Sequence, residues 1–361
     1  SVPAEPMSHP AELTRFRDTD TAGQGTGGPL PWPAGQVTLA QARGERSLTA
    51  LFRAALADVS TPEPPPVPAG GRLTWTTGTF TPEPPFWPDG DIGRLAVCAT
   101  VNALAAQGAR PLALSLTAVV EAGLPLERLR ALSTSVRESL AEAEVPLGGF
   151  DLGVVRTGEA DQLYLTATGT GLLPAAATTA PARPGDRLWL TGPLGNHGTH
   201  LLATRHQLGY EQLIHARLRP LTGLFTRLHR GHPEALRGIR PVSTGGLAAT
   251  LTALAEETGL SPAVDPDLLP LAPDTQLAMS ALGLEPWTTA SEPTHLVVAA
   301  PDPALEATLD RHTPEGAATL IGTLREPPAA TLPEHPVLLC PAGQPPEALV
   351  LPTAPPPARQ T

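Results

Sequence analysis

Two pairs of histidines, His197 with His200 and His229 with His232, stand at i, i+3 spacing, which puts both rings of a pair on one side of a helix. Imidazoles so placed can hold a transition metal, but such a site needs a third ligand and a supporting shell, and neither is apparent in the sequence. The pair Gly245-Gly246 opens an apolar helical stretch. Free N–H groups there could bind an anion, although close helix packing is the plainer use of two glycines. Cys98 and Cys340 are the two thiols. Each sits among apolar residues and reads as a small buried hydrophobe, reduced in preference to one disulfide. All 24 basic residues are arginine. Without lysine, a P-loop nucleotide site and Schiff-base chemistry are both excluded. Arginine can grip phosphate but does not titrate near neutral pH.

Charge narrows the field further. The chain of 361 residues carries a net charge of −11 and has no basic run, which argues against nucleic-acid binding through phosphate contacts. No apolar stretch approaches the roughly 18 residues of a membrane helix. The polar segment from Ser1 to Asp20 lacks the apolar centre of a signal peptide. With reduced thiols, these features predict a cytoplasmic protein.

The elements that must position any site divide into two groups. Residues 1–36 carry no apolar periodicity and read as a disordered extension, with order beginning at Val37. A first domain, 37–174, reads as a helix over 47–59, a Thr-rich strand over 73–80, and a buried helix over 92–107 closed by Gly108. An apolar strand over 111–121, an amphipathic helix over 126–144 and strands near 147–156 and 162–173 complete it. Residues 175–185 have the composition of a linker. A second domain, 186–345, begins with a strand at 186–191. Helices are predicted at 198–207, 219–230, 245–259 and 273–283, and strands near 295–300 and 318–323. The tail, 346–361, is proline-rich and is expected to be irregular.

Several motifs occur in an order that resembles the HypE family of hydrogenase maturation factors, within the aminoimidazole-ribonucleotide (AIR) synthase superfamily. Gly90-Asp91-Ile92-Gly93-Arg94-Leu95-Ala96-Val97-Cys98 is similar to the family's helix-opening segment. Val37-Thr38-Leu39-Ala40 is similar to the strand leading into its N-terminal loop. Thr76-Thr77-Gly78-Thr79-Phe80 resembles TTDSF, and Gly149 to Val155 the region usually reading GDTKVV. Gly195-Asn196-His197-Gly198, Thr244-Gly245-Gly246-Leu247-Ala248 and Ala290-Ser291-Glu292 resemble GDHG, TRGGLA and ANE.

The resemblance implies an α+β fold with two domains: an N-terminal β-α-β sheet that forms a barrel across a homodimer, and an α/β C-terminal domain. It implies ATP and Mg²⁺ as cofactors and a maturation-type protein partner. It places Asp151 at a metal-binding and nucleotide-binding position and Glu292 at a catalytic one. Arg43, Asn102, Asn196, Gly245 and Gly246 fall at nucleotide-binding positions, and Thr361 at that of the family's C-terminal cysteine, which carries the carbamoyl group. The departures are coordinated. Gly78 and Ala103 stand for two aspartates, Asn196 for a third, Gly153 for a lysine, and Arg43-Gly44-Glu45 within a glycine-rich phosphate loop. A threonine cannot carry the thiocyanate that a cysteine can. A divergent paralogue without thiocyanate-forming activity is therefore the leading expectation. An enzyme that uses ATP on another acceptor, and a maturation factor completed by a partner, are the alternatives.

Overall fold

The computed structural model describes residues 32–42, 47–61, 63, 66–175, 179–314, 318–328 and 335–350. Helix α1 (Leu48–Ala55) is capped by the Ser47 side chain and buries Leu48, Leu51 and Phe52. After strand β1 (Arg72–Phe80), a short ribbon of β2 (Phe86–Trp87) and β3 (Gly90–Asp91) leads into α2 (Ile92–Ala106). Strand β4 (Arg110–Glu121), helix α3 (Leu126–Ala143), and strands β5 (Leu147–Val155) and β6 (Leu163–Leu173) follow. Four of these strands form one sheet, ordered β1-β6-β4-β5. Only the β4–β5 pair is parallel, as a crossover through α3 requires.

Side chains alternate across that sheet. Leu114, Leu116, Ala118 and Val120 of β4 and Leu163, Leu165 and Ala167 of β6 are buried on the face covered by helices. Helix α2 is apolar nearly all round because it lies on this face, meets α3, and touches α5 (Thr222–Gly231) of the second half. The other face is open and rich in hydroxyls. It carries Thr77 and Thr168, whose Oγ1 atoms are 3.1 Å apart, and Trp75, which is 71% exposed.

The second sheet has seven strands, ordered β13-β12-β9-β11-β7-β10-β8. They are β7 (Arg187–Leu190), β8 (Leu236–Pro241), β9 (Ser261–Val264), β10 (His295–Ala299), β11 (Thr319–Arg325), β12 (Leu338–Leu339) and β13 (Glu347–Ala348). Its helices are α4 (Asn196–His206), α5, α6 (Gly246–Thr258), α7 (Pro273–Leu282) and α8 (Pro303–His312). Leu188, Leu190, Leu296 and Val298 pack with α6 on one face. Trp189, Val297 and Ala299 pack with α5 and α8 on the other. Strands covered on both faces read as continuous apolar runs, as His295–Ala299 does.

Some expectations need correction. Residues 32–36 belong to the packed structure: Gln36 bridges to Pro125, and Trp32 stacks edge-on against Phe52 at 5.3 Å. The segment expected as a strand at Val37 turns into a 3₁₀ turn at Leu39–Ala42. Residues 57–59 leave the α-helix for another such turn. Strands β8 and β9 and helix α8 were absent from the sequence reading, because each is short and closes on proline or charge. At the start of the tail Leu349 is buried and β13 pairs with β12, so that stretch is not irregular.

Candidate functional site

Helix α2 starts where Asp91 accepts a hydrogen bond from Arg94 N at 3.0 Å and from Ser135 Oγ at 2.9 Å. Asp91 is therefore a cap, held with a raised pKa by burial. From this anchored start the helix carries Leu95, Ala99, Thr100 and Ala103 along one wall of a 220 Å³ pocket. The Thr76–Phe80 segment of β1 forms a second wall, and Ser243, Thr244, Glu292 and His295 close it from the other half. The two positions expected for aspartates, Gly78 and Ala103, thus face one space together with Glu292. At Gly78 a Cβ would meet Phe80 Cζ at 2.9 Å, so the aromatic ring occupies the volume a side chain would need.

Glu292 is 6% exposed, and burial pushes its carboxyl up to about 7. Among the described residues it is the one acidic side chain on the pocket wall. Beside it, burial pushes the His295 imidazole down to about 4, against the opposing hydrogen-bond contact with Pro293 O at 2.8 Å. The His295 ring sits edge-on to Phe225 at 4.8 Å. In the working range of most proteins the wall therefore presents a half-neutral acid and a neutral imidazole.

The remaining expected site residues lie elsewhere. Asp151 is exposed on the open face of the first sheet, on edge strand β5, while β1 and its Gly78 form the opposite edge. Asn102 is fully buried, and both ends of its amide are taken: Nδ2 donates to Arg219 O at 3.0 Å, and Oδ1 accepts from Leu221 N at 2.6 Å. It ties the two halves together and does not line the pocket. Asn196 donates to His215 O at 3.1 Å and accepts from Thr275 Oγ1 at 2.8 Å. With Glu292 it borders a second cavity of 40 Å³. Gly245 and Gly246 take left-handed backbone, φ 80° and 64°, and a Cβ on Gly246 would stand 2.5 Å from Trp287 O. Close packing accounts for that pair. Arg43, Glu45 and Thr361 lie outside the described residues.

Other polar groups are also spoken for. Glu83 pairs with Arg205 at 2.7 Å. His200 Nε2 lies 3.2 Å from Asp89, which also approaches His215 at 3.4 Å. His229 Nε2 contacts Ala106 O at 3.0 Å and His232 Nε2 contacts Thr308 Oγ1 at 2.9 Å. Cys98 has a positive neighbour in Arg94, one turn earlier, which sequence reading overlooked. Burial still dominates and pushes the thiol up to about 12. Cys340 is half-buried, less covered than expected. Thr244 and His295 were missed as pocket residues. The motif around Thr244 was visible, but nothing in the sequence places His295 beside Glu292.

Residues 59–173 match the AIR synthase related protein N-terminal domain, and residues 183–332 match its C-terminal domain. Carbamoyl dehydratase HypE of Cupriavidus necator is 35% identical over 228 residues, 63% of this chain and 65% of that protein, just under two thirds of its length. The Rhizobium leguminosarum bv. viciae protein of the same name is 34% identical over 257 residues, 70% of this chain and 73% of that one. Among solved structures, Escherichia coli HypE, a hydrogenase maturation protein, superposes with a TM-score of 0.72 at 30% identity, covering 85% of this chain and 91% of that one. A HypE in complex with ATP gives 0.75 at 26% identity, covering 83% and 90%. A HypE–HypF complex gives 0.71 at 29%, covering 78% and 90%.

Proposed function

The chain belongs to the AIR synthase related family as a HypE-like hydrogenase maturation protein, and on that premise we propose that it is a divergent member that lacks ATP-driven, thiocyanate-forming activity. One observation carries this reading: Gly78 and Ala103 line a pocket in which, among the described residues, Glu292 is the one carboxyl group. Magnesium takes oxygen ligands in octahedral geometry, usually through one or two carboxylates plus phosphate oxygens. Among the described residues this wall offers one buried carboxyl, the low end of that range, and burial opposes its ionised form. The space of 220 Å³ is also below the range of about 300–1,000 Å³ usual for small-molecule sites. The residues present do not fit Mg·ATP.

The role that remains is binding within a maturation pathway. Support for a protein partner comes from the solved complex of a HypE with HypF. We read the chain as two domains, 37–174 and 186–345, joined by 175–185, working as a homodimer in the cytoplasm. Support for the dimer is the open sheet face around Trp75. No helix among the described residues is long and apolar enough to cross a membrane.

Glu292 favours a second reading, an ATP-dependent enzyme acting on another acceptor. A carboxyl poised near neutral pH between two domains has the protonation behaviour of a general acid or base. Phosphate release from ATP with Mg²⁺, measured with a carbamoylated cysteine peptide and in parallel with hydroxyl, amine and carboxylate acceptors, separates the readings. The proposed function predicts no turnover above background. Turnover that Glu292→Gln abolishes would establish the enzyme instead.

A further inference from the structure

A third cavity, of 850 Å³, lies between the two halves and shares no residue with the 220 Å³ pocket around Glu292. Arg110 at the start of β4 enters it from one half, and Arg227 and Arg230 of α5 enter it from the other. Other arginines, such as Arg187 with Glu306 and Arg237 with Asp186, are held by carboxylates. Among the described residues, none of the three cavity arginines forms an ion pair or side-chain hydrogen bond. In a chain with 35 acidic residues against 24 basic ones, three unpaired guanidinium groups facing one concavity are a local reversal of charge. Among the described residues, the single carboxylate on this wall is Glu144, at the left-handed end of α3.

The helix dipole explains part of this and not the rest. Arg230 lies in the last turn of α5 and His312 in that of α8, where positive charge offsets free carbonyls. Arg110 is on a strand and Arg227 precedes the last turn, so neither serves that purpose. We propose that this cavity is a binding site for a compact phosphate-bearing ligand, held between the two halves by Arg110, Arg227 and Arg230. Guanidinium groups match phosphate oxygens two at a time and keep their charge at every relevant pH. The hydroxyl of Thr226 adds a neutral donor on the same wall. The volume falls within the range usual for small-molecule sites.

Calorimetry with inorganic tripolyphosphate, without Mg²⁺ and at low salt, tests the proposal. Binding in the sub-millimolar range is expected, weakened about tenfold by Arg227→Ala and about a hundredfold by Arg110→Ala with Arg227→Ala. All three positions are exposed, and thermal melting confirms that the variants fold. Arg227→Lys keeps the charge but loses the paired geometry, and should fall between wild type and alanine. A parallel titration with ATP separates the sources of phosphate: tighter binding than tripolyphosphate identifies a nucleotide, and equal binding identifies free polyphosphate. A hexa-aspartate peptide is the control for an acidic protein segment. No heat up to millimolar tripolyphosphate, binding unchanged in the double variant, or binding of the peptide in its place would overturn the proposal.

Discussion

At the scale of single residues, Glu292 and His295 give the pocket opposite pH responses. The folded chain keeps a proton on Glu292 up to about pH 7, whereas an unfolded glutamate loses it near 4.5. Stability from this group is full below the unfolded value and falls as pH rises through that window, by about 3 kcal/mol in all. His295 works the other way, because the folded ring resists protonation down to about 4 while the unfolded one protonates at 6.5. Its contribution is lost as pH falls through that interval. The two slopes oppose each other between about pH 4.5 and 6.5. Glu292→Gln removes one of them, so its melting temperature should gain on wild type from pH 5 to about pH 7 and level off above that. A difference that stays constant with pH would contradict the burial argument. Cys98 supplies a second check at this scale: with its thiol pushed up to about 12 it should resist alkylation at pH 8 in the folded state, as mass spectrometry would show.

At the scale of elements, α2 is the piece on which both the pocket and the domain junction depend. Its start is capped by Asp91, and its far end is fixed by Asn102 to the backbone of Arg219 and Leu221. Asn102→Ala leaves a buried N–H without a partner and should cost about 2–3 kcal/mol in denaturant unfolding. An effect below about 0.5 kcal/mol would show that the junction does not rely on this residue. Helix α6 makes a comparable demand, since Gly246→Ala combines a left-handed backbone with a Cβ against Trp287 O. It should lose about 2 kcal/mol or more. Helices α2 and α3 were legible in the sequence because their apolar spacing runs for many residues. Strands β8 and β9, at six and four residues, were not, since their partners lie far away in the chain. The pocket was half legible. Motif order marked Gly78, Ala103 and Glu292, but Asp151, in a motif of its own, and Asn102, next to Ala103, point away. Spacing along a chain does not say which side of a sheet or helix faces the cleft.

At the scale of the whole molecule, two questions stand apart: whether copies associate and what the cleft binds. The open face of the first sheet carries Leu73 and Trp75, 48% and 71% exposed, beside a field of hydroxyls. Pairing of two such faces would cover them and the exposed sheet edges. Light scattering at micromolar concentration should therefore give twice the 37.4 kDa of one chain, and Trp75→Arg should return it to one. A mass of one chain for the unaltered protein would refute the dimer. The cleft holds the central claim, that the Glu292 pocket no longer has the ligands for Mg·ATP. Losing two charge-assisted contacts of about 1.5–3 kcal/mol each weakens binding a hundredfold or more. Calorimetry with ATP, with and without Mg²⁺, is the most direct test, performed in the Arg110→Ala with Arg227→Ala background so that the arginine-lined cavity is silent. The account predicts no Mg²⁺-dependent heat up to millimolar nucleotide. It also predicts its appearance when Gly78→Asp and Ala103→Asp are introduced together, provided Phe80 yields the space. A dissociation constant in the low micromolar range that depends on Mg²⁺, measured with Gly78 and Ala103 in place, would contradict it.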